Sequence, residues 1–97
     1  MPISISYDHI VLEGATAWID ETPARTVEVE VHYHLASTST PGERLTRVPL
    51  RQRESDPTSL LQQPFDSSQL LAAPTMADVI RVLASQMEAA LQLKEGV

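Results

Sequence analysis

The sequence predicts an α+β domain: an antiparallel sheet of three to four strands with one long C-terminal helix packed on it. Three features predict this. Residues 26–36 alternate apolar and polar side chains, residues 43–53 supply a matching return strand, and residues 75–95 are an apolar helix capped at both ends.

At the N-terminus, Ile3, Ile5 and Tyr7 alternate with Pro2, Ser4, Ser6 and Asp8, the period-2 pattern of a half-buried strand. The phase breaks at Ile10-Val11-Leu12, which predicts a bend or bulge near Asp8-His9 or a short strand buried on both faces. Glu13-Gly14 reads as a turn, Ala15–Ile19 as a further short strand carrying the only Trp, and residues 20–24 as a loop.

The clearest strand is Thr26–Leu35. Val27, Val29, Val31, Tyr33 and Leu35 share one face, and Glu28, Glu30, His32 and His34 share the other. The polar run Ser37–Gly42 turns the chain, and Glu43–Arg53 returns. Placing Ala36 opposite Glu43 sets Val31 against Val48, Val29 against Leu50 and Tyr33 against Thr46. It also sets Glu28 against Arg51 and His32 against Arg47, so apolar meets apolar and acid meets base. Pro49 has no amide proton, so the return strand is expected to lie at a sheet edge there or to pair only on its other side.

Residues 54–74 read as an irregular linker with short helical turns. Asp56-Pro57 is a helix start, Pro64 and Pro74 limit its length, and Phe65, Leu70 and Leu71 are its expected packing residues. Thr75-Met-Ala-Asp78 is a capping box, and Gly96 is a C-terminal stop for a helix over about 76–94. All of this belongs to one domain spanning 1–97.

Composition narrows the function. A net charge of −6 opposes a nucleic-acid backbone or an anionic membrane as partner. The chain has no Cys, hence no disulfide framework and no thiolate metal site. No basic-then-apolar N-terminal segment suggests a signal peptide, and no apolar run approaches the roughly 20 residues that span a bilayer. A cytoplasmic protein or a virion component is expected.

No catalytic constellation stands out. Asp8-His9 has no nucleophile elbow to serve, and glycines at 14, 42 and 96 alone cannot build a phosphate loop. His32 and His34, two apart on a strand, point the same way and suggest zinc or iron if His9 or an acid joined them. The competing reading is a solvated face on which histidines and glutamates meet arginines across the hairpin. Arg44, Arg47, Arg51 and Arg53 then form ion pairs rather than a nucleic-acid patch. Neither enzyme activity nor a cofactor is expected.

The helix suggests a partner. At about 100° per residue, Asp78, Arg81, Ser85, Glu88 and Gln92 occupy an arc of roughly 80°, and only Gln86 strays from it. Apolar residues cover the rest, more than one sheet requires. Either the 65–71 strap and the N-terminal strand wrap the helix, or the surplus meets another protein chain or a second copy through Val82, Ala84, Ala89, Leu91 and Leu93. One flank, Val82, Ala89 and Leu93, or the other, Ala77, Ala84 and Leu91, should face the sheet. The expectation is a non-enzymatic interaction or assembly subunit that docks through this helix and an open sheet edge. From class frequency alone, a structural component of a phage-like particle is one setting. A small metal-binding module or metal-dependent enzyme using His32 and His34 is the alternative.

Overall fold

Strand β2 (Val27–Ala36) is the centre of the structure, a computed structural model that describes residues 4–97. It pairs antiparallel with β1 (His9–Ile19) on one side and, in succession, with β3 (Arg44–Thr46) and β4 (Leu50–Arg53) on the other. Helix α1 (Met76–Glu95) lies on the face that carries Val29, Val31, Tyr33 and Leu35. Those four residues, with Ile10 and Leu91, form the buried core. The α+β architecture is therefore the one the alternation implies, with four strands.

β1 differs from its sequence reading in an instructive way. Glu13-Gly14 is not a turn: the strand runs through it, and the register with β2 slips between Leu12↔Tyr33 and Gly14↔His32. Glu13 is the extra residue of a β-bulge, and that insertion resets the phase of the Ile10-Val11-Leu12 run. Before the bulge Ile10 and Leu12 share the face of Leu35 and Tyr33; after it Ala15 and Ala17 share the face of Val31 and Val29. The expected strand over 3–7 is not present at Ile5 and Tyr7, and Ile3 lies outside the described residues. Tyr7 instead packs against the core from an irregular segment.

The return strand is broken, and its register differs from the one the pattern implies. Ala36 faces Arg44, not Glu43, and Val31 faces Leu50, not Val48. The turn takes one residue more than assumed, and Arg47-Val48-Pro49 leaves the ladder and absorbs another. The two slips add to an even number, so β4 keeps the expected facing: Leu50 and Gln52 toward the core, Arg51 and Arg53 opposite Glu30 and Glu28. Arg51 leans diagonally to Glu28, with Nε at 2.6 Å, and stacks over Trp18 at 4.6 Å. His32 does not meet Arg47, and Val48 is almost fully exposed.

Residues 54–74 hold the sheet to the helix by hydrogen bonds at both ends. Glu54 donates its N–H to Val27 C=O and accepts Val27 N–H on its carboxylate at 2.7 Å, closing β2 against β4. Buried Ser59 caps a short 3-10 turn, Leu60–Gln62, that brings Leu60 and Leu61 against the core. The expected packing residues contribute less: Leu71 is exposed, Phe65 is only partly covered, and Leu70 is half-buried. Farther along, Asp66 N–H donates to Gln86 Oε1 and Gln86 Nε2 donates to Asp66 C=O, both at 2.9 Å. That pair explains why Gln86 lies outside the helix's polar arc.

α1 begins and ends as its caps require. Thr75 accepts Asp78 N–H, Asp78 accepts Thr75 N–H, and Gly96 takes a left-handed φ of 74°. The molecule is long, 59 × 31 × 19 Å, with a radius of gyration of 15.7 Å. A compact chain of this length has one near 12.5 Å.

Candidate docking surface

The helix is seated on the sheet along half its length only. At the C-terminal end Leu91 is fully buried, Met87 packs beside it, and Glu95 accepts hydrogen bonds from Tyr33 Oη (2.9 Å) and Arg47 Nη2 (2.6 Å). Burial opposes the charge on Glu95, but those two donors outweigh it and hold the carboxyl below its ordinary value. The phenol of Tyr33 is pushed up, first by burial and then by the carboxylate it serves.

Toward the N-terminus the same stripe of α1 continues through Ala84, Leu83 and Ile80 at helical spacing, yet Leu83 is 45% and Ile80 64% exposed. The cause lies beneath them. β1 presents Ala15 and Ala17 there, side chains too short to reach the helix. The result is an open groove of about 700 Å³. Leu12, Ala15, Ala17, Val27 and Val29 floor it, Ile80, Leu83, Ala84 and Met87 wall one side, and Leu60, Leu61 and Phe65 wall the other. Glu13 and Gln63 are the polar residues at its boundary.

Beside the groove, β1 is an edge strand. β2 is its sole partner among the described residues, and Glu13–Ile19 are exposed. The groove floor and the free edge are thus one surface.

The five helix residues named from sequence fall on two sides. Leu91 is core, and Ala84 lines the groove. Val82, Ala89 and Leu93 lie on the far side of the helix, about 160–180° from Leu91 around the axis. Of these Val82 is half-buried, Ala89 exposed and Leu93 86% exposed. The flank that faces the sheet is therefore that of Ala84 and Leu91. Ile80, Leu83, Ala15 and Ala17 were not singled out from sequence, and Phe65 only as a packing residue of the linker. Their signal was the coincidence of a small-residue stretch on β1 with an i, i+3, i+4, i+7 apolar stripe on α1.

The histidines have separate partners. Buried His34 bonds through Nδ1 to Glu13 Oε1 at 2.8 Å, a carboxylate that Arg44 also approaches at 3.7 Å. His32 Nε2 is 3.5 Å from Glu30, and His9 Nδ1 is 2.6 Å from Asp8, which loop residue Thr38 also donates to. Among the described residues no three His, Asp or Glu side chains converge as metal ligands would. Nor is any helix among them long and apolar enough to cross a membrane. The arrangement offers apolar area and backbone hydrogen bonds.

No family model, curated protein or solved structure matches the chain.

Proposed function

We propose that the protein is a non-enzymatic interaction or assembly subunit that docks through the groove between α1 and the sheet and through the adjoining edge of β1. One observation carries this reading: a single helical stripe is fully buried at Leu91 and left open at Ile80 and Leu83. Full burial of such a side chain contributes about 1.5–3 kcal/mol, so covering the two exposed parts contributes about 2–3 kcal/mol together. The free edge adds backbone donors and acceptors that fix the orientation of whatever docks. The proposed partner is a protein chain, because the groove is apolar and the chain's net charge of −6 disfavours nucleic acid and anionic lipid. A multi-protein particle of the phage-like kind is a setting in which so small a subunit would always be covered.

The test is a Leu83→Glu variant. Leu83 is half exposed, so the charge is hydrated in the isolated chain and the fold survives, with an unchanged circular dichroism spectrum. Wild-type protein immobilised in its native extract should retain a stoichiometric partner, and the variant should lose it by at least about tenfold in affinity. Equal retention by both proteins would remove the groove from the reading.

A further inference from the structure

The two edges of the sheet are built differently. On the β3–β4 side, Arg44, Arg47, Arg51, Arg53 and Pro49 stand along the edge, and the strand itself is interrupted. Charges, proline and breaks are the devices that stop strands from adding to an edge. On the β1 side, Gly14–Ile19 is six residues long, exposed throughout, and holds neither a charge nor a proline.

The backbone of that segment is aimed outward at alternate residues. Asp20 N–H donates to Thr26 C=O at 2.9 Å, and Glu54 N–H donates to Val27 C=O at 2.9 Å. With the register Thr16↔Glu30, antiparallel alternation turns the N–H and C=O of Gly14, Thr16 and Trp18 toward β2. Those of Ala15, Ala17 and Ile19 face away from the sheet.

We propose that a second copy of this chain adds its β1 to this edge, antiparallel, about a two-fold axis through Thr16, making one eight-stranded sheet. The inference rests on the docking reading above and names one partner for it. In that register Ala15 and Ala17 exchange backbone hydrogen bonds with Ala17 and Ala15 of the copy, and Thr16 meets Thr16. Gly14 lies opposite Trp18, so the bulkiest residue of the segment meets the one without a side chain, and its indole can stay beneath Arg51. No charge meets a charge within the six residues. The flanking Glu13 is already engaged by His34 and Arg44.

Surface area leaves room for such a contact. The chain exposes 7103 Å². That is about 1,600 Å² more than a compact monomer of its mass. A standard interface takes about 800 Å² from each partner. Each chain therefore has surface for one such contact and keeps its groove for another.

Sedimentation equilibrium of the full chain over a wide concentration range tests the proposal. The expected mass is twice 10.7 kDa. Thr16→Lys sets two lysines against each other at the axis while facing Glu30 within its own chain. It should keep the wild-type circular dichroism spectrum and raise the dimer dissociation constant by more than about a hundredfold. Thr16→Cys gives an independent arm, since the chain has no other cysteine. A non-hydrogen-bonded antiparallel pair holds its Cα atoms about 4.5 Å apart, within disulfide range. Oxidation should link copies at position 16 much faster than in a Thr58→Cys control on an exposed loop. A monomeric wild type overturns the proposal, as does a dimer that survives Thr16→Lys and links no faster at 16 than at 58. A monomer that still loses a partner on Leu83→Glu overturns only the second copy; a monomer that binds nothing through the groove overturns the docking function as well.

Discussion

Glu95 is the residue at which helix, central strand and edge loop meet. It receives Tyr33 from β2 and Arg47 from the segment that breaks the return strand. Its carboxyl is ionised more readily in the fold than in the unfolded chain, because the two donors outweigh burial. A carboxyl with a depressed folded value contributes stability that is present above its unfolded value and lost as pH falls through the folded one. Glu28, held down by Arg51, and Asp78, held down by the Thr75 backbone, act with the same sign. Tyr33 acts at the other end of the scale: its raised value makes its contribution complete below the ordinary tyrosine range and lost as pH rises through the folded value. Glu95→Gln should therefore destabilise the protein by about 1 kcal/mol at neutral pH, the worth of a partly exposed charged hydrogen bond. The difference from wild type should shrink as pH falls below the ordinary glutamate value of 4.5. Thermal melts of both proteins across that range measure it, and two parallel acid limbs would contradict the network's role.

At the scale of elements, α1 is two helices in its contacts, though one in its backbone. Leu91 is fully buried, and Leu93, two positions on, is 86% exposed. A carboxylate at position 91 removes a core side chain and buries an unpaired charge, at a cost of about 3–5 kcal/mol. Much of the stability of a small domain goes with it. Leu93→Glu should stay within about 0.5 kcal/mol of wild type. Circular dichroism melts should show the first variant largely unfolded and the second unchanged; a Leu93→Glu chain that unfolds would mean that the far side of the helix is covered in solution. Sequence made much of this legible. The β2 alternation reports two environments directly, and the Thr75–Asp78 box and Gly96 mark the helix ends by local chemistry. The register of the return strand was not legible, because Arg47-Val48-Pro49 takes a residue out of the ladder at no cost to the pattern on either side. The Glu13 bulge was hidden for a similar reason: a Glu-Gly pair suits a turn as well as it suits an inserted residue held by His34 and Arg44.

At the scale of the whole molecule, stability is concentrated at one end. The buried residues Ile10, Val31, Tyr33, Leu35 and Leu91 gather where the C-terminal half of α1 crosses the sheet. The other end holds the groove, the small-residue half of β1 and a helical turn whose Met76 is 87% exposed. The groove escaped the sequence reading because it is a tertiary absence: the side chains of Ala15 and Ala17 are unremarkable until a helix is laid above them. Elements with few buried apolar contacts open locally, whereas core strands exchange only on global unfolding. Amide hydrogen exchange should therefore divide the molecule. Val31, Tyr33 and Leu35, with the helical amides around Leu91, should exchange at the rate of global unfolding. Amides from Val79 to Ala84 should exchange faster, since the strap's Gln86–Asp66 pair is the last polar tie to the helix before its free turn. Adding the groove's partner should slow the second set and leave the first nearly unchanged. Equal protection along the whole of α1 in the isolated protein would show that the helix is seated along its full length, and the groove would then be closed in solution.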